Sequence, residues 1–503
     1  MKNFSFFIIP FLSGALTYLS FERFSLFPIS WFSLSIPIFL LIKKRKFPFL
    51  VGFSWAFPFY TISLYWLVRV MSHYGNLSFF LSIIFFLILV FSLSSLFGLI
   101  FLIINYVAKT FPNIEFILFP LFWVSLEYFL TFFLTGFPWN LIGYSQIHFL
   151  PLIQISSITG VYGISFLIIL LNSSISFSIK TKNFRWLILS IILFLFCNIY
   201  GFFLINKGYN KSEPLKVAII QGNTNMDDDL VGNSKKLEEK FNDYIELTKK
   251  AIDLNAKLII WPETSVPILF RYDPRKDVLM ELSRGKGIFI LAGFTDWREG
   301  NFYNSVFLIS PKKSISSVYD KIHLVPFGEY VPFKKIFGFF ESITKEVGDY
   351  TAGSKLVLHS VKKYKFGSPI CYEIIFPDLV RRFVKEGAQF LVTVSNDGWF
   401  GRSDAPYQHF SIASMRAVEN RRFLLRATST GVSGIVDPFG RVLKKIDIGK
   451  TEFSIEDIFP LEEKTFYSNY GDIFAQSCLT ISSILFILSL WRRYGIRRGK
   501  KRA

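Results

Sequence analysis

The sequence predicts two structural classes in one chain: an α-helical membrane bundle of about eight spans, and an extracytoplasmic α/β domain set before the last span. Three observations carry this. The 503 residues are 51% hydrophobic and include 61 Phe, and the mean hydropathy of +0.40 is high for a water-soluble chain. Long apolar stretches fill the first 205 residues and return once near the C-terminus. Between them, over 210–465, the chain turns polar and carries short apolar runs of strand length.

The candidate spans are 4–20, 25–42, 48–70, 78–106, 113–134, 158–178, 186–205 and 472–491. Each approaches or exceeds the roughly 20 residues a helix needs to cross a bilayer. The first continues into the second without a small-residue cleavage site, so it reads as a retained helix rather than a signal peptide. The formal charge of +19 raises nucleic acid as a partner. The charges, however, cluster at the ends of apolar runs: Lys43 to Lys46, Lys180 to Arg185, and Arg492 to Arg502. No nucleic-acid module accompanies them, which excludes that class. By the positive-inside rule these three clusters lie in the cytoplasm, and the basic-poor loops "MSHYGN" and around Gly136 lie outside. The expected layout is 1–209 with seven spans, 210–465 as an extracytoplasmic (in bacteria periplasmic) domain, and 466–503 with the eighth span and a basic cytoplasmic tail. The expected location is a bacterial cytoplasmic (inner) membrane.

Within 210–465 the runs "KVAIIQ", "KLIIW", "GIFILAGF", "SVFLIS" and "QFLVTVSN" are continuously apolar, as for strands covered on both faces. Residues 233–253 place Leu237, Phe241, Tyr244, Ala251 and Ile252 on one helical stripe, and 374–386 form a second candidate helix. The pattern is an α/β sandwich with helices outside the sheets.

Three segments of this domain carry candidate chemistry. "WPETSVP" puts Glu263 just after an apolar strand, "YDKIHLVPFGEYVP" holds Lys321 and Glu329, and "SPICYEIIFPD" puts Cys371 at a strand-to-helix junction. The other cysteines, Cys197 and Cys478, lie in apolar stretches, so Cys371 has no intradomain disulfide partner. It is either a small buried hydrophobe or a nucleophile. Nucleophilic catalysis by a thiol needs a base and a positive field for the oxyanion. Glu263 can be the base; Lys321 and the Tyr372 backbone N–H can supply the field. Taken singly, an acid or a lysine after a strand is more often a solvated end.

Together these segments resemble the nitrilase, or carbon–nitrogen hydrolase, superfamily with its Glu-Lys-Cys triad. With the flanking spans, the chain resembles the apolipoprotein N-acyltransferase family over nearly its whole length. The segments that carry this are "GFPWNLIGYSQ" (136–146), "QGN" (221–223), "WPET" (261–264), "HLVPFGEYVP" (323–332), "CYE" (371–373), "SNDGWFG" (395–401) and "LLRATSTGVSGIVDPFG" (424–440). The resemblance implies a nitrilase-like αββα sandwich. It implies Glu263 as general base, Lys321 as the triad lysine and Cys371 as the acyl-accepting nucleophile, with Glu329, Tyr372 and Glu373 in support. The reaction implied moves a fatty acyl chain from a phospholipid, through a thioester on Cys371, to the α-amine of the N-terminal diacylglyceryl-cysteine of an apolipoprotein. No metal or organic cofactor is implied. A membrane-tethered amidase, with water as the second nucleophile, and an inactive scaffold are the rival readings. One departure is the absence of a Trp after "QGN", where this chain reads "TNMDDDL".

Other residues have two readings each. Glu127, inside a span, either orients the outer face around "GFPWN" or makes a structural hydrogen bond, and the second is favoured. Trp139 lines a path for lipid or anchors at the interface. Asn396, Asp397 and Trp399 contact substrate or shape a turn. His323 and His409 lack ligand spacing for a metal and read as satisfied polar histidines. The run "KKIFGFF" (334–340) is core or a membrane-dipping lid.

Overall fold

The computed structural model describes residues 5–75, 77–210, 212–223, 234–312, 314–331 and 349–502. They form two compact units: Met1–Val68, Phe79–Lys207 and Tyr470–Ala503 in one, Arg69–Ser78 and Gly208–Asn469 in the other.

The first unit is helical. Its main helices are Ser5–Tyr18, Ser35–Lys44, Pro48–Leu64, Phe79–Thr110, Glu115–Phe129, Val161–Thr181, Arg185–Lys207 and Ile473–Arg502. Because apolar residues surround most of these helices, small and polar residues decide which face packs. Gly14 lies directly against the Trp55 backbone. Asn172 is buried and accepts from Ser35 Oγ at 3.0 Å while donating to the Ser30 carbonyl at 2.8 Å. Ser176 donates to the Ser35 carbonyl at 2.6 Å. Among the described residues, five helices are long and apolar enough to cross a membrane, or up to six if Pro48–Leu64 and the helix after it count as one bent span. The expected spans 4–20 and 113–134 are shorter as helices, at 14 and 15 residues. The second ends at Phe129, and the chain leaves helical geometry at Phe132 (φ −133°) before turning through Leu134, Thr135 and Gly136 at positive φ.

The second unit is an α/β sandwich of two six-stranded sheets. The strands are β1 Leu215–Gln221, β2 Leu258–Ile260, β3 Phe289–Arg298, β4 Asn301–Ile309, β5 Ile315–Asp320, β6 Leu358–Val361, β7 Tyr364–Gly367, β8 Phe390–Ser395, β9 Leu424–Thr428, β10 Ser433–Val436, β11 Val442–Ile446 and β12 Glu452–Ile458. The sheet orders are β12-β1-β2-β3-β4-β5 and β11-β10-β9-β8-β7-β6. In each, three central strands run parallel and the rest antiparallel: β1-β2-β3 in one, β7-β8-β9 in the other. The sheets meet through β1 and β9, where Gln221 accepts from Thr428 and Ser433 hydroxyls at 3.2 and 2.6 Å. Helices Ser234–Asp253 and Arg275–Lys286 cover the first sheet, with Phe241, Tyr244, Ala251 and Leu279 buried against Ala218, Ile259 and Ile290. Helices Pro377–Lys385 and Ala405–Asn420 cover the second. The continuously apolar strands follow from this double cover.

The expected helix at 374–386 begins at Pro377, after a single 3₁₀ turn over Cys371–Ile375. Proline takes the first helical position readily, but it holds the residue before it extended. Phe376 accordingly sits at φ −91°, ψ 103°.

Candidate active site

The candidate groups sit where strands end. Glu263 follows β2, Lys321 follows β5, Cys371 follows β7 and Asn396 follows β8. Backbone strain gathers at the same edge: Thr264, Phe327 and Cys371 have φ of 43°, 60° and 49°. Left-handed backbone costs a non-glycine residue about 1–2 kcal/mol, and such residues cluster where structure around them over-determines the geometry. Gly293 of β3 is needed here, since a Cβ would lie 2.6 Å from the Glu263 Cα.

Glu263, Lys321 and Glu329 form one buried cluster. Lys321 is 1% exposed. Its ammonium donates to Glu329 Oε1 at 2.8 Å and to Glu263 Oε1 at 3.4 Å. Asn304 Nδ2 donates to the same two oxygens, at 2.8 Å to Glu329 and 2.7 Å to Glu263. The remaining Glu263 oxygen accepts from the Asn396 backbone N–H at 2.7 Å. The remaining Glu329 oxygen accepts from the Val325 N–H at 2.8 Å. Burial opposes the Lys321 charge, but Glu329 and Glu263 outweigh it and hold the ammonium well above the usual lysine range.

Cys371 is buried, and burial pushes its thiol up, with Glu263 adding to the rise and Lys321 opposing it. The neutral thiol is therefore the resting form, and a nucleophilic role for it would need a base within the same step. Glu373 buttresses the turn that carries Cys371. It accepts from the backbone N–H groups of Ile322, His323 and Ile370 at 2.7, 3.0 and 2.7 Å and from Tyr319 OH at 2.8 Å. Burial lifts its carboxyl to about 7 against the pull of these donors.

Behind the thiol lies a second buried cluster. Asp397 accepts from Arg426 Nη2 at 2.8 Å and from Ser395 Oγ at 2.7 Å. Burial opposes its charge, but Arg426 and these donors hold the carboxyl well below the usual aspartate range. His409 Nε2 reaches the Cys371 carbonyl at 3.2 Å. Burial and Arg426 push His409 down, so it is neutral.

The α/β unit thus brings together Glu263, Lys321, Glu329, Cys371, Glu373 and Asn396. Tyr372 is half-buried beside Phe376 and His323, at ring distances of 5.2 and 5.8 Å. The Asn396 side chain is occupied by its own turn, accepting from Gly398 N and Ser429 Oγ at 3.2 and 2.5 Å. Trp399 packs edge-on to Tyr74 at 5.1 Å. Trp139 lies in the helical unit, 2% exposed, against Trp66 at 5.2 Å. Glu127, also in the helical unit, accepts from Trp123 Nε1 at 3.0 Å and Ile142 N at 2.8 Å, the structural bond favoured above. Residues 224–231 and 334–340 lie outside the described residues. Sequence reasoning missed Asn304, Tyr319, Ser395 and Arg426. The signal for two of them was present: a lone Asn in "YNSVFLI" and a lone Arg in "LLRAT" interrupt otherwise buried strands.

Two family models match the chain. One, of the carbon–nitrogen hydrolases, covers residues 216–460; the other, of the apolipoprotein N-acyltransferase N-terminal domain, covers 13–174. A protein named apolipoprotein N-acyltransferase from Geobacter metallireducens is 35% identical across 97% of this chain and 96% of its own length. The chain belongs to the apolipoprotein N-acyltransferase family. Relatives of the same name from Wigglesworthia glossinidia brevipalpis and Haemophilus influenzae are 32% and 30% identical, covering 95% and 97% of this chain and 96% and 95% of their own. Membership of this family accounts for a nitrilase-like sandwich and an apolar helical domain on one polypeptide.

Proposed function

We propose that this chain is an apolipoprotein N-acyltransferase that moves a fatty acyl chain from a phospholipid to the α-amine of the diacylglyceryl-modified N-terminal cysteine of an apolipoprotein. The observation that carries the reading is a buried carboxylate–ammonium–thiol site on a chain matched along its length by relatives of that name. Glu263 takes the Cys371 proton, and the thiolate attacks the ester carbonyl. Lys321 and the Tyr372 N–H stabilise the oxyanion, usually the largest single catalytic contribution. The C–O bond breaks, Glu263 returns the proton to the glyceryl oxygen, and lysophospholipid leaves. The acceptor amine then attacks the thioester with Glu263 again as base, and the amide forms as the C–S bond breaks. Glu329, Tyr372 and Glu373 support this centre, and Asn396 and Trp399 shape its rim. The amidase alternative uses water in the second step and leaves the apolar helical domain without a purpose.

The same reading sets the chain in a bacterial inner membrane with about eight spans, seven within 1–209 and one within 466–503, and with 210–465 on the periplasmic side. Support comes from the basic residues, which gather at one end of the helical unit. Arg45 and Lys180 converge on buried Glu115 at 2.5 and 3.2 Å, and Arg493 donates to Thr110 Oγ1 and the Tyr106 carbonyl, both at 3.1 Å.

Purified protein incubated with phospholipid alone tests the relay. Mass spectrometry should find one acyl chain on the peptide carrying Cys371, lysophospholipid released, and discharge when a diacylglyceryl lipopeptide is added. Cys371→Ala should do neither, and Glu263→Gln should acylate about 10²–10⁴ times more slowly. Lysophospholipid release only when both substrates are present, with no trapped acyl-enzyme, replaces the relay with direct transfer.

A further inference from the structure

His409 is fixed in one tautomer by its surroundings. Its Nδ1 lies 3.0 Å from Arg426 Nη2. A guanidinium nitrogen only donates, so Nδ1 accepts from it; Asp397 Oδ1, 3.3 Å from Nδ1, is the longer contact and already accepts from Ser395 Oγ and Arg426 Nη2 at 2.7 and 3.0 Å. The ring hydrogen is then on Nε2, which donates to the Cys371 carbonyl at 3.2 Å. That carbonyl oxygen cannot donate in return, so the reverse tautomer leaves two acceptors facing each other. Arg426 is itself held by Asp397 at 2.8 and 3.0 Å and by the Val432 carbonyl at 3.3 Å. All three side chains are buried, with no more than 1% of any exposed.

The bonded carbonyl belongs to the Cys371–Tyr372 peptide. In a trans peptide the C=O and N–H point in opposite directions from one rigid plane. Holding the Cys371 oxygen from behind therefore aims the Tyr372 N–H forward. The plane before it is held by the Glu373 N–H on the Ile370 carbonyl at 3.0 Å, so Cys371, at a left-handed φ of 49°, is tied on both sides.

The geometry points to His409 as a positioning residue: locked by Arg426 and Asp397, it holds the Cys371–Tyr372 peptide plane so that the Tyr372 N–H faces the developing oxyanion. This rests on Cys371 being the nucleophile. The role is more than that of a satisfied core histidine, because the bond it makes is to the reacting residue's own backbone. His409 touches no substrate, so its effect falls on the chemical step and not on lipid binding.

The test uses single-turnover acylation of the full-length protein in detergent by a long-chain p-nitrophenyl ester, followed from pH 6 to pH 9. His409→Leu removes the donor. His409→Gln keeps an N–H close to the Nε2 position. Acylation by His409→Leu should fall about tenfold, the order of one buried hydrogen bond. Ester KM and the pH midpoint should stay where they are in the parent, and His409→Gln should recover to within about threefold. Cys371→Ala is run alongside. If it still acylates, the nucleophile reading fails first. If Cys371→Ala is dead and His409→Leu acylates at the parental rate, the positioning role is wrong. Equal loss of rate and thermal stability in His409→Leu and His409→Gln, or a shifted pH midpoint, overturns it as well.

Discussion

Lys321→Met separates the structural work of the central cation from the catalytic work proposed for it. The lysine is 1% exposed and holds Glu329 at 2.8 Å and Glu263 at 3.4 Å. Methionine replaces the aliphatic stem without the ammonium and leaves two carboxylates facing each other, bridged by the Asn304 amide. Removing one partner of a buried ion pair costs about 3–5 kcal/mol, because the stranded charge has lost its compensation. For a domain of this size each kcal/mol moves the midpoint by about 2–4 °C. The expected drop is therefore about 6–20 °C in thermal unfolding followed by tryptophan fluorescence in detergent. Adding Glu329→Gln removes one stranded charge and should restore most of that drop, while acylation of Cys371 stays at least about 10² below the parent. The folded lysine is raised above its unfolded value of about 10.4. Its contribution is thus complete below that pH and is lost only as pH rises through the folded value. The parent–variant difference should stay level from about pH 6 to 9. A single variant that melts within 2 °C of the parent, or a difference that shrinks across that window, refutes the buried-pair argument.

Glu373→Gln should destabilise the α/β unit by about 1–3 kcal/mol, because its amide nitrogen must face either the Ile370 N–H or those of Ile322 and His323; an unaltered melting curve would count against the buttress. His359 bridges Ser317 and Ser368 at 2.7 and 2.8 Å, and burial lowers it to about 3. With the unfolded value near 6.5, the parent should lose about 1.4 kcal/mol per pH unit relative to His359→Gln as pH falls below 6.5, and the two should run parallel above it. Asn255 lies in an exposed turn, and the three native cysteines are buried. Asn255→Cys should therefore react with a membrane-impermeant maleimide in intact spheroplasts; reaction only after lysis reverses the topology.

What could be read from the sequence divides along a physical line. Strands covered on both faces are continuous apolar runs, so "KVAIIQ" and "QFLVTVSN" show themselves without partners. Glu263 ends such a run, whereas Lys321 and Cys371 follow the mixed strands β5 and β7 and are legible only through the motifs "HLVPFGEYVP" and "CYE" beside them. The residues that hold the triad are not legible in the same way. Asn304 and Arg426 are polar groups inside buried strands, and their partners, Glu263 and Asp397, lie 41 and 29 residues away. Nothing local says where the compensating charge is. In the helical unit hydropathy measures how apolar a stretch is but not where backbone turns. It therefore runs the fifth span on to residue 134, past the end of the helix at Phe129. The apolar surroundings of Trp139 likewise do not distinguish an interface anchor from the buried ring that packs on Trp66.

The arrangement of acids around Lys321 also explains why a site with two carboxylates and one ammonium can run on a thiol that rests protonated. In the proposed acylation the negative charge starts on Glu263, passes to the sulfur when the proton moves, and passes again to the oxyanion when the carbonyl is attacked. It migrates beside Lys321 without the buried cluster gaining or losing charge, so no step requires a new charge to be desolvated. When Glu263 holds the proton, its attraction for Lys321 weakens. Glu329 keeps the ammonium in place at 2.8 Å, the shorter of the two contacts. In the proposed mechanism the second acid thus lets the first one act as a base without releasing the cation that the oxyanion needs.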